Sequence, residues 1–259
     1  MARYSLALVT GASSGIGEHF ARELAAAGTD LILVARRADL LTALAEELAA
    51  AYGVRADVLV ADLSDPDGRA PIEQRLTATI DPVDLLVNNA GYGTTGMFAE
   101  LPLDAELAEI EVNVVAMVRL THAVLPGMIE RGRGGVLNVA SSAALTPAPG
   151  NATYCATKAY VTAFTEALHG EVKRHGVNVS VLLPGLTRTD FQSNAHYDAN
   201  WAPGFAWQRP DEVARAGLAA VNSGRAVCIP GATNKAVAAA LRLTPRSVIR
   251  GIAGRLAAH

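Results

Sequence analysis

The segment Leu6–Gly28, LALVTGASSGIGEHFARELAAAG, decides the fold predicted for this chain. LALVT predicts a short buried strand, and a helical pattern follows it from Ile16. Glycines at the junction permit a tight turn and let a phosphate approach the backbone, and the free N–H groups and dipole of the helix N terminus favour an anion there. The segment therefore predicts a strand–turn–helix unit that binds the phosphates of a nucleotide. Its candidate contacts are Gly11, Ser13, Ser14, Gly15, Ile16 and Gly17.

Short apolar runs alternate with longer helix-patterned segments along the rest of the chain. This alternation is typical of a parallel sheet with helices on both faces, because strands covered on both faces are apolar throughout. No internal repeat or low-complexity linker interrupts it, so we predict one doubly wound α/β (Rossmann) domain, residues 1–259, with about seven strands. The predicted strands are 6–10, 31–35, 56–61, 85–88, 135–140, 177–183 and 226–229, and the predicted helices are 16–27, 40–52, 69–80, 103–131, 152–175 and 210–222.

Composition and charge narrow the class of protein. A chain of 259 residues that is 51% apolar can bury a substantial core, and a net charge of −3 gives no reason to expect nucleic acid as a partner. Two cysteines and six scattered histidines predict neither a disulfide framework nor a metal site. Residues 1–15 carry no export signal, and no run approaches the ~20 apolar residues of a membrane span, so we expect a cytoplasmic protein.

The end of the second predicted strand, LILVARR, carries Ala35, Arg36 and Arg37. A cofactor with a free ribose 2′-hydroxyl usually meets an acidic residue at this place, and Ala35 stands there instead. Two arginines at the start of a helix are destabilising, because their positive charges interact unfavourably with the helix dipole. A 2′-phosphate would offset this destabilisation by accepting bidentate hydrogen bonds from the guanidinium groups. The segment therefore favours NADP(H) over NAD(H). The alternative is that both arginines are simply solvated.

The segment Ser141–Lys158, SSAALTPAPGNATYCATK, is the candidate catalytic segment. Tyr154 and Lys158 are four residues apart, so they share one face of a predicted helix. A lysine ammonium lowers the pKa of a nearby phenol from its usual ~10, which makes a tyrosine usable as an acid or base near neutrality. A serine hydroxyl at the same place could bind a substrate oxygen. Surface helices also produce this tyrosine–lysine spacing by chance, so its meaning depends on the rest of the chain.

Two regions depart from the alternation. Residues 187–210 form a long connection that predicts a lid or substrate loop, or else aromatic side chains packed beneath the loop itself. The tail, residues 232–259, is net +5 against −8 for the remainder. For this basic tail we favour packing on the domain or contact with another subunit over a helix lying on an anionic membrane. The aromatic residues of the loop are Phe191, Tyr197, Trp201, Phe205 and Trp207.

Taken together, the motifs of the chain resemble the short-chain dehydrogenase/reductase family, in that family's order and over about residues 4–230. They are TGASSGIG at 10–17, NNAG at 88–91, Asn113 within EVNVVAM, Ser141, YCATK at 154–158 and PGLTRTD at 184–190. The resemblance suggests the single-domain subgroup with TGxxxGxG. It implies reversible hydride transfer between NADP(H) and a ketone, aldehyde or secondary alcohol. The aromatic loop suggests that this substrate is bulky and apolar.

The resemblance also implies a role for each motif residue. Tyr154 would act as general acid or base at the substrate oxygen, and Ser141 rather than Ser142 would hydrogen-bond that oxygen. Lys158 would bind the nicotinamide ribose and lower the pKa of Tyr154, and Asn113 would anchor a water that links Lys158 to solvent. The other implied cofactor contacts are Asp62 and Leu63 at the adenine, Asn89, Ala90 and Gly91 at its ribose, and Pro184, Gly185, Thr187 and Thr189 at the nicotinamide.

Some alternatives stay open at this point. Asp62 could be only a helix cap, and Asn88 and Asn89 could mainly brace strand ends. The rival function is a non-catalytic NADP(H)-binding sensor or scaffold, which would not need the complete set of polar residues named above. The resemblance also implies a homodimer or homotetramer, because family members commonly pair through the helices that carry the equivalents of Asn113 and Tyr154.

Overall fold

Seven parallel strands form one sheet in the computed structural model, which describes residues 3–189, 191, 203–245 and 247–251. The strand order is β3-β2-β1-β4-β5-β6-β7, so the chain builds outward from β1 in one direction and then restarts beside β1 with β4. This order confirms the doubly wound parallel fold predicted from the sequence. The strands are β1 (Leu6–Thr10), β2 (Asp30–Ala35), β3 (Ala56–Val60), β4 (Leu85–Asn88), β5 (Gly134–Val139), β6 (Val177–Leu182) and β7 (Val227–Cys228).

Helices cover both faces of this sheet. On β1, Ala7 and Val9 point into one apolar cluster and Leu6 and Leu8 into another, and all four are fully buried. The strand is apolar throughout because successive side chains enter opposite cores. The helices are α1 (Gly15–Ala26), α2 (Ala38–Tyr52), α3 (Pro66–Leu76), α4 (Leu103–Ile110), α5 (Met117–Glu130), α6 (Ala152–Val172), α7 (Pro210–Asn222) and α8 (Ala232–Leu243).

Two helical features differ from the sequence prediction. The helix predicted over 103–131 is interrupted by a π-helical turn, Glu111–Ala116, between α4 and α5. The start of the basic tail, where no helix was predicted, forms α8. Ala238 of α8 and Ile249 beyond it are buried, so the described part of the tail packs on the domain. Other boundaries differ by a few residues, as fraying ends do.

The segment Leu103–Glu130 is long and apolar enough to cross a membrane, with a mean hydropathy of 1.5 in its most apolar window. The prediction that no run of the sequence approaches a membrane span is therefore wrong, as judged by the length and composition of this segment alone. Its apolar character has another explanation, since Ala116, Leu120, Val124 and Met128 pack in the core beneath the sheet.

Much of the predicted substrate loop and the end of the tail lie outside the described residues. Tyr197, Trp201 and residues 252–259 are among them. Thr187 pairs with Gln208 through a parallel bridge, which ties the two ends of the loop together.

Candidate active site

The glycine turn lies at the carboxyl end of β1, beside β4, where the strand order reverses. Gly11 and Gly15 adopt positive φ angles of 66° and 58°, which favour glycine. A Cβ atom on Gly17 would lie 2.1 Å from the carbonyl oxygen of Gly11, so no larger residue fits there. Helix α1 begins at Gly15, and in the described part of the chain no side chain caps it. The turn therefore fits the phosphates of a dinucleotide, which its backbone N–H groups would bind.

Arg37 is bound to this turn rather than only solvated. Its Nη2 donates to the hydroxyls of Ser13 and Ser14 at 3.0 and 2.8 Å, and its Nε donates to Ser13 at 3.2 Å. Arg36 extends past it, with Nη1 3.8 Å from Asp62 Oδ2. Both arginines are exposed at the end of β2, so two guanidinium groups lie at one side of the glycine turn.

Asp62 does not cap a helix. Its Oδ1 accepts from the backbone N–H and the hydroxyl of Ser64 at 2.9 and 2.7 Å, and the cap of α3 is Asp65. Burial alone would raise the pKa of Asp62, but the bonds from Ser64 and the charge of Arg36 lower it. Asp62 is therefore an ionised acceptor at this edge, while the side chain of Leu63 is buried.

The NNAG motif braces the glycine turn. Asn89 Nδ2 donates to the carbonyl of Thr10 at 2.9 Å, and the backbone N–H groups of Asn89 and Ala90 donate to the Thr10 hydroxyl at 3.0 Å. Asn88 points into the protein and bonds Thr121 and Asn138 at 3.0 and 2.9 Å. The bracing role left open from the sequence therefore applies to both asparagines.

Ser141 and Tyr154 meet at the carboxyl end of β5. Tyr154 lies in the first turn of α6, and a hydrogen bond from Ser141 acts on its hydroxyl. The ring of Phe191, from the aromatic loop, lies 5.5 Å from the Tyr154 ring between centroids. A Cβ on Gly93 would lie 2.8 Å from Tyr154 Cδ2, so a residue without a side chain is needed against this ring.

The pKa of Tyr154 differs from the sequence prediction. Burial raises the pKa of the Tyr154 hydroxyl above its ordinary value, the bond from Ser141 opposes this, and the charge of Glu109 adds to the rise. Lys158 Nζ lies 5.7 Å from the Tyr154 ring centroid and donates to the Val139 carbonyl at 3.0 Å. The predicted lowering of the Tyr154 pKa by Lys158 is therefore wrong for the protein alone, because burial raises that pKa and the group that opposes the rise is Ser141.

Lys158 is itself perturbed, since its side chain is almost completely buried. Burial lowers the pKa of Lys158 to about 8, and the negative charge of Glu109 opposes that change. A Cβ on Gly91 would lie 3.0 Å from Lys158 Nζ and 2.8 Å from Asn113 Oδ1. Gly91 therefore allows the lysine and the asparagine to approach the same point.

Asn113 is held in the π-helical turn by four hydrogen bonds to three residues. Its Oδ1 accepts from the N–H of Tyr92 at 3.1 Å, and its Nδ2 contacts the Tyr92 carbonyl at 2.8 Å, Thr157 Oγ1 at 3.1 Å and Glu109 Oε1 at 3.4 Å. Because π-helical turns often occur at functional sites, the irregularity itself marks Asn113. It joins the strand-end loop to the face of α6 that carries Lys158.

The segment from Pro184 to Thr189 closes the site from the side of β6. Thr189 Cγ2 would lie 3.1 Å from a Cβ on Gly15, so this segment touches the glycine turn. Thr187 donates to the Gly185 carbonyl at 3.0 Å. A Cβ on Gly185 would lie 2.4 Å from Asn234 Nδ2, which shows that α8 packs behind the segment. All the sequence-predicted site residues thus gather at one edge of the sheet.

Sequence reasoning missed three polar residues beside this site. Glu106 and Glu109 are buried on α4, and Thr94 contacts both of them. A signal was present, because the two glutamates stand one helical turn apart and Glu109 precedes Asn113 by four residues. Gly93 was missed as well, although it lies only two residues after the end of the NNAG motif.

Comparison with known proteins gives one family. A family model described as short chain dehydrogenase matches residues 5–200. The chain is 34% identical over 221 residues to a very-long-chain 3-oxoacyl-CoA reductase of Anas platyrhynchos, an alignment that covers 83% of this chain and 68% of that protein. Two other curated relatives are matched over 53% and 74% of their length.

Solved structures give the same result for the fold. A short-chain dehydrogenase from Sphingobium yanoikuyae in complex with NADPH is 35% identical, with a TM-score of 0.85 and coverage of 92% of this chain and 91% of that one. A bulky-bulky ketone specific alcohol dehydrogenase from Comamonas testosteroni is 30% identical, with a TM-score of 0.79 and coverage of 93% and 95%.

Proposed function

The chain belongs to the short-chain dehydrogenase/reductase family of oxidoreductases, and we propose that it transfers a hydride between NADP(H) and a ketone, aldehyde or secondary alcohol. The observation that carries this proposal is the meeting of Ser141, Tyr154 and Lys158 beside the glycine turn. A bound nicotinamide nucleotide would supply or accept the hydride. The protein's own groups would hold the substrate oxygen and move its proton.

Tyr154 is the proposed proton donor in the direction of carbonyl reduction. Because burial raises its pKa, the hydroxyl keeps its proton at neutral pH until negative charge develops on the substrate oxygen. Ser141 would donate to the same oxygen and stabilise that charge. Lys158, held by the Val139 carbonyl, would bind the ribose hydroxyls and stabilise the tyrosinate left behind.

The preference for NADP(H) is proposed from the two arginines and the missing acid. Arg37 already donates to Ser13 and Ser14 at the turn, and Arg36 is exposed beside it, with Nη1 3.8 Å from Asp62 Oδ2. Guanidinium groups at this position suit a 2′-phosphate. The NADPH complex of the Sphingobium protein supports the same preference.

The proposed substrate is a bulky, apolar carbonyl compound or alcohol. Phe191 presents its ring to Tyr154, and Phe205 of the same connection is 77% exposed. These rings would cover an apolar substrate over the reacting oxygen. The names of two relatives, one a 3-oxoacyl-CoA reductase and one a bulky-bulky ketone specific alcohol dehydrogenase, support the same class.

The test compares Tyr154→Phe with Tyr160→Phe, which lies on the same helix with its ring stacked on Phe164 away from the site. NADPH absorbance is followed with a panel of ketones and aldehydes, and NADPH affinity is measured by fluorescence. Tyr154→Phe should lose turnover by about 100-fold or more and keep its affinity, whereas Tyr160→Phe should match the wild type. Near-normal turnover by Tyr154→Phe would refute the assignment. Wild-type binding of NADPH without turnover of any compound would favour the sensor or scaffold.

We also propose that the protein pairs with a second copy through α4 and α6. Leu103 and Leu107 of α4 and Tyr160 of α6 are apolar or aromatic side chains that are 64%, 50% and 46% exposed. Such exposed residues on neighbouring helices favour contact with another surface. Sedimentation velocity of the full chain, compared with Leu107→Glu, tests this pairing.

A further inference from the structure

The residue directly before Tyr154 is a buried threonine whose hydroxyl leaves its own helix. Thr153 lies in the first turn of α6, and Asn151 at the N-cap gives that turn no side-chain cap. The Thr153 hydroxyl bonds instead to Oε2 of Glu106 on α4. The turn that carries Tyr154 is therefore tied to another helix through the neighbouring side chain.

Glu106 continues this connection to the loop after β4. Its side chain is almost completely buried, at 3% exposure, and its second oxygen, Oε1, contacts the hydroxyl of Thr94. Buried carboxyl groups require hydrogen-bonding partners, and the two that Glu106 has lie in segments far apart in sequence. Glu106 therefore joins the loop that holds Thr94 to the turn that holds Thr153.

The loop is also fixed through its main chain. Oε2 of Glu109, which is 0% exposed, accepts from the backbone N–H and from the hydroxyl of Thr94, both at 2.8 Å. Oε1 of Glu109 lies 3.4 Å from Asn113 Nδ2. Because a backbone N–H has no rotamer freedom, the bond from Glu109 sets the path of the loop itself and gives the contact with Glu106 a fixed end.

This loop forms a wall against the Tyr154 ring. Gly93 directly precedes Thr94, and a Cβ on Gly93 would lie 2.8 Å from Tyr154 Cδ2 and 3.0 Å from Cγ. The backbone of Gly93 is therefore in contact with the ring, while Thr153 holds the turn on which the ring stands. A connection between Thr94 and Thr153 fixes the ring and its wall relative to each other.

We propose that Glu106 is a positioning residue, which clamps the loop after β4 to the first turn of α6 and so fixes the point where the Tyr154 hydroxyl meets the substrate oxygen. We call the connection Thr94–Glu106–Thr153 the carboxyl clamp. Its effect on the reaction rests on the function proposed above. Its effect on the placement of Tyr154 can be measured without turnover.

The partners of Glu106 determine which substitutions keep the carboxyl clamp. Both partners are hydroxyls, which can donate or accept. In Glu106→Gln the amide oxygen can accept from Thr153, and the amide nitrogen can donate to Thr94. The Thr94 hydrogen is still available to Glu109, so every contact is satisfied. Glu106→Gln should therefore keep the clamp, whereas Glu106→Leu, of similar volume but without a polar atom, should remove it.

The first experiment follows Tyr154 by NMR. Protein labelled with ¹³C at tyrosine Cζ gives signals from six tyrosines, and Tyr154→Phe identifies the one that belongs to Tyr154. Glu106→Leu and Thr153→Val should each shift this signal and leave that of Tyr160, which stacks on Phe164, in place. Glu106→Gln should give the wild-type spectrum.

Thr162→Val is the matched control for Thr153→Val, because the Thr162 hydroxyl bonds within α6 to the Lys158 carbonyl at 2.9 Å. It should leave the Tyr154 signal in place. An unmoved Tyr154 signal in both Glu106→Leu and Thr153→Val would overturn the proposal. Equal movement of the Tyr154 and Tyr160 signals would overturn it as well, because a general disturbance of α6 would then explain both.

Turnover tests the catalytic effect of the carboxyl clamp. Glu106→Leu and Thr153→Val should each lower kcat about 10- to 100-fold, because small displacements of a reacting group are costly, and should leave the affinity for NADPH unchanged. The double variant should be no slower than either single variant, since all three lack the same connection. Glu106→Gln should keep the wild-type kcat, which restores the hydrogen bonds without the carboxyl group.

Losses of kcat that multiply in the double variant, or that come with weaker NADPH binding, would show a merely structural role and overturn the proposal. So would a wild-type kcat in Glu106→Leu despite a shifted Tyr154 signal. If the wild type turns over no carbonyl compound, the proposed function fails, while the NMR signal of Tyr154 still decides whether Glu106 positions it.

Discussion

Gly17→Ala is the most direct test of the glycine turn. The new Cβ atom would lie 2.1 Å from the carbonyl oxygen of Gly11 and 2.5 Å from Asn89 Nδ2. Both distances are about 1 Å shorter than van der Waals contact, and the nearer atom belongs to the backbone, which cannot rotate away. The turn must therefore move by about 1 Å, and the bond between Asn89 and the Thr10 carbonyl must stretch or break.

The free energy of this change has two parts. Overpacking of this kind costs about 1–3 kcal/mol, whereas alanine in a helix gains about 0.5–1 kcal/mol over glycine. Gly170→Ala in α6 is the matched control, because a Cβ there meets no atom within 4 Å and only the gain applies. Because the gain applies to both variants, their free energies of unfolding should differ by the overpacking cost, about 1–3 kcal/mol. At about 2–4 °C per kcal/mol this is a Tm difference of about 2–12 °C.

The assay pairs urea unfolding of both variants with NADPH titration followed by fluorescence. Gly17→Ala should be less stable than the wild type and should bind NADPH at least tenfold more weakly, because the displaced N–H groups no longer face the phosphates. Gly170→Ala should be slightly more stable with unchanged affinity. Wild-type stability and affinity in Gly17→Ala would show that the turn does not have the geometry described.

Two further predictions concern charged residues of the site. The double variant Arg36→Ala, Arg37→Ala should raise the KM for NADPH about tenfold or more and leave the KM for NADH unchanged, because only the 2′-phosphate loses its partners. The control is Arg55→Ala, which removes an exposed arginine paired with Asp81. If the ratio of the two KM values stays unchanged in the double variant, the phosphate site is refuted. Burial lowers the pKa of Lys158 from 10.5 to about 8 in the folded protein; between these values the unfolded chain binds more protons, so stability from this group rises with pH in that window. The unfolding free energy of the wild type relative to Lys158→Met should therefore increase by about 1–1.4 kcal/mol per pH unit from pH 8 to 10 in urea titrations, and a constant difference would contradict the depressed pKa.

The sheet and the glycine turn could be predicted from local patterns. The apolar strands follow from burial on both faces, and Gly11, Gly15 and Gly17 follow from the steric needs of one turn. The residues at the ends of β1, β4, β5 and β6 meet because the ends of parallel strands share one edge. These features depend on neighbours in sequence or on a general rule of the fold, so one sequence suffices.

The electrostatics of the site could not be predicted in the same way. The spacing of Tyr154 and Lys158 is a local fact, but the pKa of each depends on how deeply other elements bury it. The partners of Asn113 come from the loop after β4, from α4 and from α6, which only the tertiary structure brings together. The π-helical turn likewise follows from these contacts and has no local signal in EVNVVA.

The π-helical turn Glu111–Ala116 lets α4 and α5, which it joins, present their side chains to two different surroundings. A π-helical turn accommodates one more residue than the α-helix does over the same rise, so it shifts the phase of the side chains after it by about 100°. Before the turn, Glu106 and Glu109 contact Thr94 beside the site; after it, Leu120 and Val124 pack in the core under the sheet. Deleting a single residue from Glu111–Ala116 would restore a regular helix and force one of these two faces out of alignment. The length of this segment, as much as its composition, is therefore part of what the site requires.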